Sequence, residues 1–243
     1  MEYCVIIPAR YQSSRLPGKP LIDLAGLPMV IRTYNQCIKA CPAEKVYVAT
    51  DDIRIEEVCN SYGIQVIMTS TECMTGTDRI AECTKYIEAD VYINVQGDEP
   101  LFNPEDLKEI IKASSKYPEE VLNGFCEIES EASYKSVSTP KVVCRPDGRL
   151  LYMSRAAIPS NKALKFEKAW RQVCVYSFPK KALMEFNSNK EKSQLESIED
   201  IEILRFLELG WEVRMLKLSN SSIAVDTPED VVLVEEAIKI TNA

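Results

Sequence analysis

The sequence predicts an α/β protein: a mostly parallel sheet covered by helices on both faces, with an antiparallel insertion in the second half. Three observations carry this. Short β-branched runs alternate with helical periods through the first half of the chain, which is how parallel strands joined by crossover helices read. That rhythm then gives way to a hairpin signal, Arg145-Pro146-Asp147-Gly148-Arg149, set between two apolar runs. Finally, 243 residues that are 46% hydrophobic and 27% charged can bury one sizeable core, which excludes a disordered or fibrous chain.

The elements follow in order. Tyr3–Pro8 is a buried strand, followed by a polar loop through Pro20. Met29–Cys41 is helical, Lys45–Thr50 a strand, and Ile53–Tyr62 a helix that Asp51 or Asp52 caps. Gln65–Met68 is a short strand, and Thr77–Tyr86 a helix after the Thr75-Gly76 turn. Val91–Gln96 is a strand and Pro104–Lys116 a helix with proline at its favoured early position. Val142–Cys144 and Leu150–Met153 form the hairpin, and Ser160–Lys168 an exposed loop. Val173–Phe178 is a strand, Lys180–Asn187 and Ile198–Leu209 are helices, Glu212–Leu216 is a strand, and Pro228–Lys239 closes the chain as a helix.

Charge and residue usage narrow the chemistry. A formal charge of −8 argues against general nucleic-acid binding, which needs a positive footprint. A small anion needs only a local cluster of cations, N–H groups and a metal. Nine cysteines occur without a Cys-x-x-Cys pair, so neither a zinc ribbon nor a thioredoxin-like motif is supported, and the expected setting is reduced and cytoplasmic. With no histidine, a Ser-His-Asp or Cys-His arrangement is impossible, and catalysis must use carboxylates, cations and a metal. The N-terminus lacks the basic and apolar regions of a signal peptide, and no uncharged apolar stretch is long enough to span a membrane.

Ligands of open α/β sheets gather at the carboxyl ends of the strands. The loop after the first strand, Ala9 to Pro20, places Arg10, Arg15, Lys19, two serines and Gly18 there, suited to a polyphosphate or else a solvated loop with incidental charge. It is not a P-loop, since Lys19 is followed by Pro20. Gln96-Gly97-Asp98-Glu99-Pro100 ends a buried strand; its Asp98 suits a hard divalent ion, or the carboxylates are turn formers. In Val225-Asp226-Thr227-Pro228, Asp226 is a second metal ligand or a helix cap, and taken alone the cap reads better. Thr75-Gly76-Thr77-Asp78-Arg79 meets a base or ribose at a helix start, or makes a capped turn. The acidic run Glu196–Glu202 and the Lys190–Lys192 cluster read most simply as solvated faces.

Taken together these segments resemble the 3-deoxy-manno-octulosonate (Kdo) cytidylyltransferases. Ile6-Ile7-Pro8-Ala9-Arg10-Tyr11, then Ser13, then Arg15-Leu16-Pro17-Gly18-Lys19-Pro20-Leu21 looks like the family's N-terminal signature. Val48-Ala49-Thr50-Asp51-Asp52, the Thr75–Arg79 and Asn94–Pro100 segments and Val225–Asp230 match its later motifs in order. The resemblance implies a nucleotide-diphospho-sugar transferase-like, Rossmann-like fold in a single domain, with an antiparallel dimerisation insertion at about 123–190. It implies CMP transfer from CTP to Kdo or a related acidic sugar, with pyrophosphate released, magnesium as cofactor and a homodimer. Arg10, Arg15 and Lys19 would hold the phosphates, with Pro8, Ala9, Thr75, Gly76 and Arg79 around the nucleotide. Asp98 and Asp226 would hold magnesium, with Lys19, Asp98, Arg10 and Arg15 as the catalytic set. Gln96, Arg155, Tyr176 and Glu196 would face the acceptor. Two positions depart from the family: Gln172 stands for its histidine and Ser160 for its tryptophan. They leave nucleotide chemistry intact and open the acceptor to an 8-amino variant of Kdo, a nonulosonic acid or a phosphonate. A non-catalytic nucleotide-binding homologue is the alternative of a different class.

Overall fold

The N-terminal apolar run forms β1 (Tyr3–Ala9), parallel to β4 (Val46–Thr50) on one side and to β6 (Val91–Val95) on the other. The computed structural model describes residues 1–12, 16–188 and 191–241; Ser13, Ser14, Arg15 and Lys190 lie outside them. β5 (Gln65–Met68) continues the parallel sheet beyond β4. On the far side of β6, β10 (Trp170–Pro179) runs antiparallel to β6 and to β7 (Val121–Glu127), and β11 (Val213–Lys217) lies parallel to β7. The order is therefore β11-β7-β10-β6-β1-β4-β5. β8 (Lys141–Cys144) and β9 (Leu150–Ser154) form the expected hairpin, and β8 pairs with the first residues of β10. β2 (Asp23–Leu24) and β3 (Leu27–Pro28) make a small hairpin apart from the sheet.

Alternation along the strands sends neighbouring residues to opposite faces. Val5 and Ile7 of β1 join α1 (Met29–Cys37), α2 (Ile53–Ser61) and α4 (Pro104–Lys116) in one core, through Val30, Ile55 and Leu107. Cys4 and Ile6 face the other core, under α3 (Gly76–Cys83), α6 (Lys180–Ser188) and α8 (Ile203–Glu208). There Phe206 stacks on Phe178 and Phe186, with ring centroids 5.1 and 4.8 Å away. α5 (Glu131–Lys135), α7 (Gln194–Glu199) and α9 (Pro228–Thr241) complete the element order. Among the described residues no helix is long and apolar enough to cross a membrane.

Several expectations are corrected. The first helix ends at Cys37 rather than Cys41, and tight turns carry the chain on to Pro42, which disfavours helix in the residue before it. The single helix expected over Ile198–Leu209 is two. Asp200 adopts a left-handed conformation (φ 51°, ψ 50°), and the Glu199 and Asp200 carbonyls accept from Arg155 instead of continuing the helical ladder. β7 and α5 were not expected. Asn123 and Gly124 make β7 look unlike a strand, yet both have jobs in it. The Asn123 amide donates to the Val173 and Val175 carbonyls, 3.0 Å each, across an irregularity in β10. A side chain at Gly124 would come within 3.1 Å of Val173 Cβ and closer still to Leu218. In the segment at about 123–190, β7 and β10 are strands of the main sheet, and its antiparallel character comes from β10 and the β8–β9 hairpin.

One buried cation ties the second face together. Arg205, 1% exposed, donates through Nε to Glu196 at 2.5 Å, through Nη2 to Glu196 at 2.8 Å and through Nη1 to Asp78 at 3.1 Å, while its plane lies 3.7 Å from the Phe186 ring. It thereby joins α3, α6, α7 and α8. Removing it leaves two buried carboxylates without their cation, a loss of about 3–5 kcal/mol. Arg205→Met is therefore expected to lower the melting temperature by on the order of 10 °C for a chain of this size, read by thermal unfolding.

Candidate active site

The carboxyl ends of β1 and β6 and the start of α3 open into a cavity of about 420 Å³. Pro8, Ala9 and Arg10 line it from the end of β1, and Gln96, Gly97 and Asp98 from the end of β6. Gly97 is required where these ends meet: a Cβ there would lie 2.8 Å from the Pro8 carbonyl oxygen. Thr33 Oγ1 of α1 donates to the Gly97 carbonyl at 3.1 Å and holds the turn from below.

Lys19 is the hinge of the site. Its ammonium donates to Asp98 Oδ2 at 2.7 Å and to Asp226 Oδ1 at 3.0 Å. Burial works against that charge, but Asp98 and then Asp226 outweigh it, and the Lys19 pKa is raised. Asp226 is brought there by backbone pairing, since the Val225 N–H donates to the Asp98 carbonyl at 2.9 Å. The start of α9 is closed from within its own first turn, by Asp230. Its Oδ2 accepts from the N–H groups of Asp226 and Thr227 at 2.9 and 2.8 Å, ahead of α9.

The loop leading to Lys19 is pinned at both described ends. Gly18 is left-handed (φ 69°), its N–H donates to the Tyr11 carbonyl at 3.0 Å, and a Cβ on it would sit 3.2 Å from the Tyr11 ring. The Arg54 guanidinium packs 3.3 Å from the centroid of that ring and is itself held by both oxygens of Asp52, at 2.8 and 2.6 Å. Arg10 lines the cavity at the open end of this loop; Arg15 falls outside the described residues.

Thr75, Gly76 and Arg79 line the opposite wall. Thr75 and Asp78 form a capping box: the Asp78 N–H donates to Thr75 Oγ1 at 3.1 Å, and the Thr75 N–H to Asp78 Oδ2 at 2.9 Å. The Thr77 N–H donates to Glu202 Oε2 at 2.8 Å. Arg79, buried at its guanidinium, is engaged by Asp51 at 2.9 Å and by Thr69 Oγ1. Burial raises the pKa of Glu202; its hydrogen bonds from Thr77 oppose this, while Asp78 and Glu196 add to it.

The acceptor-facing expectations fare unevenly. Gln96 lines the cavity, but Arg155, Tyr176 and Glu196 do not. Arg155 spends its donors on the carbonyls of Glu199, Val137 and Asp200, at 2.5, 2.9 and 2.8 Å. Tyr176 is buried in the aromatic core, stacked on Phe178 at 5.7 Å. Glu196, 1% exposed, is the carboxylate paired with Arg205. The residues that do line this side, Lys192, Asp200 and Glu202, come from the stretches read as solvated faces. Asp200 and Glu202 fall in the link between two short helices and Lys192 just before the first, so no single helical period marked them.

The sequence model of the cytidylyltransferase family matches residues 4–218. Over 224 residues the chain is 36% identical to the 3-deoxy-manno-octulosonate cytidylyltransferase of Escherichia coli, covering 92% of this chain and 91% of the relative. The chain belongs to the 3-deoxy-manno-octulosonate cytidylyltransferase family. It is also 35% identical over 246 residues to an 8-amino-3,8-dideoxy-manno-octulosonate cytidylyltransferase of Shewanella amazonensis, covering 99% and 100% of the two chains. Its fold superposes with a TM-score of 0.92 on a solved CMP:2-keto-3-deoxy-manno-octonic acid synthetase complexed with CTP, at 33% identity and with 99% and 100% of the two chains covered.

Next to Asp98, Glu99 is buried and accepts from Ser222 Oγ. Burial raises its pKa above the usual 4.5; the Ser222 hydrogen bond opposes this and the neighbouring Asp98 reinforces it. A folded-state pKa above the unfolded one means that folding favours the protonated form. That contribution is present below the unfolded value and is lost as pH rises through the folded one. Glu99→Gln should therefore gain stability relative to the parent chain over the pH range that begins near the usual 4.5 and runs up through the raised folded value. Urea midpoints for both proteins at each end of that range read the trend, and a constant difference would contradict it.

Proposed function

We propose that this chain transfers CMP from CTP to an acidic sugar of the Kdo class and releases pyrophosphate. The observation that carries this is Lys19, which gathers Asp98 and Asp226 at the carboxyl end of a parallel sheet, beside a cavity walled by Arg10 and the Thr75–Arg79 turn. Family membership supports the same reading.

An acceptor oxygen attacks the α-phosphorus, a new oxygen–phosphorus bond forms, and the bond to the pyrophosphate oxygen breaks. Arg10, Arg15 and Lys19 hold the phosphates, and Lys19 offsets the charge that grows on the leaving group. Pro8, Ala9, Thr75, Gly76 and Arg79 seat the nucleotide, and Gln96 faces the acceptor. Holding two anions together is itself a large share of the task. Asp98 and Asp226 fit a magnesium ion: they are hard oxygen donors already converging on one cation, and magnesium commonly takes one or two carboxylates with the rest from phosphate and water. Bound there, it supplies charge stabilisation at the phosphate oxygens.

Kdo and its 8-amino variant are the leading acceptors, because relatives named for each match this chain almost equally. A homodimer formed through the antiparallel segment belongs to the same reading, supported by the exposed Val137, Leu151 and Leu164. So does a reducing cytoplasmic setting, supported by nine free cysteines.

The test follows pyrophosphate release from CTP and magnesium with Kdo, 8-amino-Kdo, a sialic acid and a small phosphonate. Release with either of the first two supports the proposal, and CTP binding without release for all four defeats it. Asp98→Asn is expected to cut turnover by at least about a hundredfold, with the melting temperature held within a few degrees. Near-normal turnover would remove Asp98 from the metal site.

A further inference from the structure

The proposed acceptors are acids, whose carboxylate calls for a cation, and Arg155, the one cation among the residues expected to face the acceptor, donates to backbone carbonyls instead. Among the described residues four cationic side chains line the cavity: Arg10, Lys19, Arg79 and Lys192. Lys19 is committed to Asp98 and Asp226, and Arg79 to Asp51 and Thr69. Arg10 directly follows β1 on the loop assigned to phosphate. Lys192 remains. Its ammonium carries three donors, and among the described residues it makes one hydrogen bond, to Asp200 Oδ1 at 2.7 Å.

We infer that Lys192 is the specificity-determining residue that receives the acceptor's carboxylate. The inference rests on the transferase reading above and extends it to a residue and a chemical group.

The surroundings of Lys192 suit this role. It immediately precedes Ser193, the N-cap of α7, while Asp200 is the C-cap of the same helix. The Lys192–Asp200 bond therefore spans the helix end to end and fixes where the ammonium points. Asp200 is fixed in turn by Arg155, whose Nη2 donates to its carbonyl at 2.8 Å and lies 3.6 Å from its carboxylate. Arg155 is thus a positioning residue that acts through Asp200. Two residues further on, Glu202 returns to the nucleotide wall at the Thr77 N–H. An anion at Lys192 consequently sits on a segment that lines the same cavity as Lys19 and its two carboxylates.

The experiment is steady-state pyrophosphate release by the full chain at saturating magnesium, with KM measured for Kdo and for CTP separately. Lys192→Met should raise the KM for Kdo roughly ten- to hundredfold, the range for losing one hydrogen bond to a charged group, and leave the KM for CTP within about twofold. Lys192→Arg should restore most of the loss. Asp200→Asn should raise the KM for Kdo by a smaller factor, again without moving CTP. An unchanged KM for Kdo in Lys192→Met overturns the inference. So does a rise in the KM for CTP instead, which would make Lys192 a phosphate ligand. Calorimetric binding of Kdo to protein loaded with a non-hydrolysable CTP analogue reads the same site without turnover. Weaker Kdo binding by Lys192→Met there supports the inference even if no pyrophosphate is released, an outcome that would defeat only the transferase reading. Equal binding by both proteins, or none by either, overturns it.

Discussion

The structure depends on one ammonium between two carboxylates. Lys19, Asp98 and Asp226 lie 79 and 207 residues apart in sequence, and their contact holds the β1 loop, the end of β6 and the turn before α9 at one point. Each carboxylate has a reason to be there that is independent of the lysine. Asp98 follows the glycine that lets β6 close on Pro8, and Asp226 follows a backbone bond to Asp98 itself. The fold thus brings two part-exposed acids together at the Lys19 ammonium, a pair of hard oxygen donors of the kind a divalent ion takes.

A second cluster braces the cavity wall at the start of α3. Asp78 caps α3 through Thr75 and also receives Arg205, which carries Glu196 and so fixes α7. Replacing such a buried group of charges by apolar residues is often neutral or stabilising in proteins, so the cluster is better understood as fixing geometry than as adding stability. Its geometry is specific. The turn at Thr75 to Thr77 is attached both to Arg205, through Asp78, and to Glu202, through the Thr77 N–H. The wall that would hold the base therefore shares a scaffold with Lys192 and Asp200.

The parallel half of the fold was legible because its signals are local. The Tyr3–Ala9, Gln65–Met68 and Pro104–Lys116 segments state their periods in a few residues, and their bounds were read nearly as they stand. β7 was not legible, because Asn123 and Gly124 serve contacts made across the sheet to β10 and Leu218. The break at Asp200 was hidden for the same reason, since Arg155, 45 residues earlier, takes the carbonyl that would continue the helix. In the site, Lys19, Asp98, Gln96 and the Thr75–Arg79 turn could be located because each sits at a strand end or helix start, where backbone geometry and chemistry coincide. Lys192 lies just before a short helix and Asp200 and Glu202 in the link to the next, and a run of charges there looks like solvent-facing surface until its tertiary partners are known.

This division bears on how acceptor choice is set. The two positions that depart from the family sit away from the cavity. Gln172 is buried in β10, with its amide donating to Asn123 Oδ1 at 2.9 Å, and Ser160 is exposed in the loop after Pro159. Neither lines the cavity, so neither by itself reshapes the surface a substrate would touch. The half proposed to hold the nucleotide is built from β1, β6 and the start of α3, whereas Lys192, Asp200 and Glu202 belong to one segment of eleven residues held to the core by Arg155, Thr77 and Arg205. A segment anchored at a few points can change its exposed side chains without disturbing the sheet. Divergence in acceptor within this fold should therefore concentrate between the end of α6 and the start of α8, while Lys19 and its two carboxylates stay in place.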